Sequence, residues 1–156
     1  MGSSGDSVSK PVTEYKCMDS LGQLTNDRTM FRDWKFRLWN NMTQVFKGKQ
    51  FLMIRDWIEG PTTVLDVNDD IVEVRKRAWS EAKVPDHEPT WTQVGQALHS
   101  IIAHKAADRS DAFLYTKRIS DGWIMWNNLH RHYMATSGLG ILLSLIHISE
   151  PTRPER

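Results

Sequence analysis

The spacing of the apolar residues constrains this chain more than any other feature. They recur with helical period in successive blocks, and each block is closed by a glycine, proline or polar stop. Phe31, Trp34, Leu38, Met42 and Val45 follow one another at intervals of 3, 4, 4 and 3, which is one face of a helix predicted over about 29–46. Trp39 and Phe46 widen the stripe, Asn26 or Asp27 can cap the start, and Gly48 ends it. Phe51, Ile54 and Ile58, with Trp57 beside them, predict a second helix over 50–59, stopped by Gly60-Pro61.

A third helix is expected over 64–83. Val67, Ile71, Val74 and Ala78 lie on one side of it, and Thr63 with Asp66 resembles a capping box. Ile71 to Val74 has strand propensity, but good helix formers continue to Ala82 without a break. Residues 84–89 read as a linker. Thr90, with Gln93 three residues on, is expected to cap a fourth helix carrying Trp91, Val94, Leu98 and Ile101. Asp108 to Asp111 reads as a loop, and Ala112 to Lys117 as an added helical turn. The last helix starts at Ser120 or Asp121, presents Trp123, Trp126, Leu129 and Tyr133 on one face, and is stopped by Gly138 and Gly140. The expected fold is all-α, a bundle of about five helices without strands, burying stripe against stripe. The predicted core is Phe31, Trp34, Leu38, Met42, Trp91, Val94, Leu98, Ile101, Trp123, Trp126, Leu129 and Tyr133. Trp39, Trp57 and Trp79 lie off the strictest seams and are candidates for a protein interface, where Trp is enriched.

Composition narrows the function classes. A formal charge of +1 gives no general electrostatic pull on nucleic acid. The single cysteine, Cys17, excludes an internal disulfide framework and makes a reducing, cytoplasmic compartment the default. Residues 1–23 show no sustained period and read as a flexible arm with one short turn around Tyr15 to Leu21; Met1 to Lys10 lacks the apolar core of a signal peptide. The longest apolar run, Ile141 to Ile146, is far short of the roughly 20 residues that span a bilayer. The segment Leu143 to Arg153 resembles the in-frame translation of a transposase adapter used to prepare sequencing libraries. Residues 143–156 are therefore set aside from fold reasoning, and the natural reading frame is expected to continue differently beyond Leu142.

No motif carries an evident chemistry. His99 and His104 point about 140° apart on a helix, and His130 and His132 about 160° apart, so neither pair converges on a metal. Cys17 has no neighbouring base to make it a nucleophile. Asp69-Asp70 and Asp108 with Asp111 are ordinary for helix ends and loops, and no glycine-rich phosphate loop occurs. Arg75, Lys76 and Arg77 form the one dense basic run; spread around a helix, they suit a solvated surface or weak RNA contact. Lys47 and Lys49 would extend such a surface. The expectation is a non-enzymatic module with no cofactor, no metal, no membrane span and no small-molecule substrate.

Three segments carry a family resemblance. Asp33 to Leu38, behind Leu24-Thr25, is similar to the opening helix of Gag proteins of copia-type LTR retrotransposons. Ala97 to Ile102 resembles their central helix. Asp121 to Trp123, continuing through Trp126, Leu129 and Tyr133, resembles their Ala-Trp-x-x-Leu-x-x-x-Tyr segment, with Gly122 in place of the usual alanine and Trp126 as an extra tryptophan. The resemblance covers about residues 24–140. It implies a capsid-like helical domain over 24–142 that associates with copies of itself around the element's RNA. The family's zinc knuckle, which lies downstream of this region, is absent. An unrelated helical adaptor that binds a partner helix or peptide is the other reading of the same pattern.

Overall fold

The computed structural model describes residues 10–48 and 50–134. The expected tail 143–156, the stops at Gly138 and Gly140, and Lys49 lie outside the described residues. Seven α-helices follow in order: α1 (Lys16–Asp19), α2 (Phe31–Val45), α3 (Gln50–Ile58), α4 (Ile71–Ala82), α5 (Glu88–Lys105), α6 (Asp111–Arg118) and α7 (Gly122–Met134). Short 3-10 turns at Val12–Glu14 and Arg28–Met30 precede α1 and α2. Among the described residues the sole strand-like feature is one isolated parallel bridge between Leu24 and Ala106. The described residues are thus all-α, with two more helices than the periodicity predicts.

Both additions have local causes. Ser110 accepts a hydrogen bond from the Phe113 N–H, so the expected turn after the 108–111 loop becomes the two-turn helix α6. At the other end, the expected arm is folded from Lys10 onward: Val12, Met18 and Leu21 are buried. Three apolar side chains spaced too irregularly to show a period still close the core, and Asn41 Nδ2 ties this segment to α2 by donating to the Cys17 carbonyl. Residues 1–9 lie outside the described residues.

The third helix begins seven residues later than expected, at Ile71. Asp70 caps it by accepting from the Val72 N–H. The expected capping pair Thr63 and Asp66 does not form: the Asp66 N–H donates to Asp69 Oδ2 instead, and residues 61–70 turn without helix. Lys83, at φ 56°, closes α4 in a left-handed cap, with its N–H on the Trp79 carbonyl and the Val84 N–H on that of Ala78. Helix α5 begins at Glu88, before the expected cap Thr90. Pro89 in the first turn suits a helix start, and Thr90 lies inside the helix.

Every member of the predicted core is buried, from Phe31 on α2 to Tyr133 on α7. Phe31 and Tyr133 stack with ring centroids 4.4 Å apart and planes 1° from parallel. Trp39 and Trp57 are a correction: they are 4% and 7% exposed and belong to the core. Trp39 packs against Phe51 of α3, and against α7 it stacks on Trp123 and meets Trp126 edge-on. Each indole N–H finds a carboxylate, Trp39 on Glu59 and Trp57 on Glu81, which makes burial tolerable. Of the three interface candidates only Trp79 is exposed, at 53%, with the Lys83 ammonium 5.3 Å above its ring.

Candidate functional site

A largely buried polar cluster forms where the end of α3 meets α2 and α7. Glu59 follows Ile58, the last residue of α3, and its side chain turns inward. Its Oε2 accepts from the indole N–H groups of Trp39, at 3.1 Å, and Trp126, at 2.9 Å. Its Oε1 accepts from the Lys35 ammonium at 3.2 Å. That ammonium also donates to Nε2 of His130 at 3.1 Å, which makes this ring nitrogen an acceptor and puts the imidazole proton on Nδ1. The same Nε2 lies 3.8 Å from Glu59 Oε1. Burial is the main reason the His130 pKa is lowered to about 4; Glu59 opposes the shift, and Lys35 and Arg32 add to it.

A second cluster repeats the pattern two residues on. Nε2 of His132 lies 2.8 Å from Nη2 of Arg28 and 2.9 Å from Oδ2 of Asp111. At each histidine a cation from α2 or the turn before it converges with a carboxylate from elsewhere on the same ring nitrogen. Both histidines face a cavity of about 800 Å³, also lined by Tyr115, Asn128 and Arg131. Tyr133 donates its hydroxyl to the Thr25 carbonyl at 2.6 Å, and burial pushes its pKa up to about 12.

Asn127 is the third node and is fully buried. Its Nδ2 donates to the carbonyls of Ile58 and Thr63, and its Oδ1 accepts from the Leu65 N–H at 3.0 Å. Arg131 donates to Asn127 Oδ1 and to the Leu65 carbonyl. One turn of α7 therefore pins the segment after α3. This explains why that segment is not helical where its own sequence permits helix.

The candidates named from sequence are dispersed. His99 donates from Nε2 to the carbonyls of Thr116 and Ile119, an anchor between α5 and the end of α6. Cys17 is half-buried, with its thiol against the Asn41 carbonyl. Asp70 caps α4 and Asp69 caps a turn. Asp121 caps α7 by accepting from the N–H groups of Trp123 and Ile124; burial raises its pKa against those bonds. The basic run is matched by nearby carboxylates: Arg75 with Asp86 at 2.6 Å and with Glu88, Lys76 with Glu73, and Arg77 with Glu81. Among the described residues no group of three His, Cys, Asp or Glu side chains could hold a metal ion, and no helix is long and apolar enough to cross a membrane.

The Lys35–Glu59–His130 cluster was not foreseen. In sequence Glu59 sits before Gly60-Pro61 and looks like a solvated helix end, and no local pattern links it to residues 24 positions before and 71 after. Compared with known protein families, curated proteins and solved structures, the chain matches none.

Proposed function

We propose that this chain is a non-enzymatic helical assembly module, a capsid-type domain of the kind the Gag resemblance implies, which associates weakly with copies of itself. The observation that carries this reading is the apolar surface left on helices whose other faces are already packed. Phe36 on α2 is 69% exposed, and Val72 and Trp79, seven residues apart on one face of α4, are exposed as well. Large apolar side chains held at the surface on rigid helices favour association. The inward-facing polar groups, by contrast, are occupied by structural bonds to indoles, main-chain groups and one another.

Sedimentation of the whole chain over a concentration series tests the proposal. A mass average that rises with concentration, and that falls back in Trp79→Ala or Phe36→Ala, is the expected result. A monomer throughout the high micromolar range overturns it. It would then favour the adaptor reading, which draws support from a groove of about 410 Å³ between α3 and α5, floored by Phe46, Phe51 and Val94. RNA binding belongs to the proposal only as a weak contact through Arg75, Lys76 and Arg77.

A further inference from the structure

We propose that His130 is a proton-operated partner switch: neutral, it holds Lys35 of α2 through the Nε2 lone pair; protonated, it releases Lys35 and takes the Glu59 carboxylate in its place. The geometry carries this. Nε2 has a single in-plane position for a partner. A lone pair there accepts from the ammonium 3.1 Å away. An N–H there cannot face an ammonium, since two N–H donors would point at each other and two positive charges would stand in contact. Oε1 of Glu59 already waits 3.8 Å from the same atom, so the exchange needs only a small movement. The proton comes from solvent and is held on Nε2. No covalent bond forms or breaks.

The surroundings decide which parts move. Lys35 and Arg32 face His130 from α2, and Glu59 faces it from the end of α3; the rings of Phe31 and Trp126 pack against it as well. Glu59 stays anchored by two indoles, whereas the Lys35 side chain is held by its contacts to Glu59 and His130 and is 23% exposed. Lys35 is therefore the group that leaves. It swings toward the groove it lines with Phe36, Trp39 and Leu52, on the exposed side of α2. Protonation thus tightens α7 to α3 and loosens it from α2. His132, between Arg28 and Asp111, stands in a second convergence of the same kind.

Imidazole nitrogen resonances of the intact chain, followed from pH 7.5 downward, test the switch. The expected result at neutral pH is His130 with its proton on Nδ1. During the titration, the Trp39 and Trp126 indole N–H signals should shift with the His130 midpoint. A neutral His130 protonated on Nε2 overturns the proposal without any variant. Lys35→Met removes the competing cation and should raise the His130 midpoint by about one pH unit, a tenfold gain in proton affinity. Glu59→Gln should lower it further. An unchanged or lowered midpoint in Lys35→Met overturns the switch even where the indole signals move.

Discussion

Gly122 rests directly on the backbone of Gly95: a methyl group at the Gly122 Cβ position would stand 1.8 Å from the Gly95 carbonyl oxygen. Helices α5 and α7 cross there with nothing between their main chains. Beside the crossing, the Trp123 indole lies flush with α5, its Cδ1 3.0 Å from where a Gly95 Cβ would be and its N–H donating to the Trp91 carbonyl. Gly122→Ala cannot be absorbed by a side-chain rotation, because the obstacle is backbone. It should cost about 3 kcal/mol or more in urea unfolding. Gly95→Ala meets a ring edge and should cost less.

Asn127 should be the most expensive polar side chain to remove. Asn127→Ala leaves the carbonyls of Ile58 and Thr63 and the Leu65 N–H without their partner in a buried site. The expected loss is about 2–4 kcal/mol. Amide exchange should also quicken at Leu65, whose N–H the side chain now protects. A loss confined to the exchange rate, with stability unchanged, would mean that water replaces the side chain at no cost.

These two residues also show where sequence stops being informative. The α2 face was legible because Phe31, Trp34, Leu38 and Met42 repeat at helical intervals and each is buried by that period alone. The start of α4 was not legible. Residues 64–70 have adequate helix formers, but Leu65 among them is held by Asn127 and Arg131, more than sixty positions away. Trp39 and Trp57 were misplaced for a related reason. Each lies beside its helix's seam, and what buries it is a second helix together with a carboxylate, Glu59 or Glu81, that no spacing rule connects to it. Glu59 and His130 acquire their roles in the same way, through contacts between helices.

Leu38 and Ile101 test the core itself. Both are fully buried on the main faces of α2 and α5. Truncating either to alanine should cost about 2–5 kcal/mol, the range for cavities in packed interiors. Phe36→Ala, two positions from Leu38 but on the wet side, should change stability by less than about 0.5 kcal/mol. Comparable losses at Leu38 and Phe36 would mean that α2 is rotated from the orientation described.

Stability should fall in mild acid because of His130. Its folded pKa is depressed from 6.5 to about 4. Between those values the unfolded chain binds a proton at this residue and the folded chain does not. The contribution is thus present above pH 6.5 and is lost as pH falls toward 4. Its full size is on the order of 3 kcal/mol. Urea midpoints measured across this window should decline in the wild type, and His130→Gln should remove that share of the slope. An identical decline in the variant would assign the acid sensitivity to other groups.

The basic run offers the last test, because its geometry argues for structure before RNA. The Arg75 side chain is 14% exposed and is held by Asp86 and Glu88 across the turn that joins α4 to α5. Lys76 and Arg77 lie more open but each has a carboxylate one turn away on α4. Phosphate would have to compete with these partners, so few counterions would be released on binding. Filter binding at two salt concentrations should therefore give low affinity with a shallow salt slope. Replacing Lys76 and Arg77 by alanine should flatten the slope further without altering stability. Arg75→Ala should act mainly on the fold, lowering stability by up to about 1 kcal/mol, since its partners sit near the surface. Tight, steeply salt-dependent binding that disappears with Arg75→Ala would show instead that RNA displaces Asp86 and Glu88 and that this turn is a genuine phosphate site.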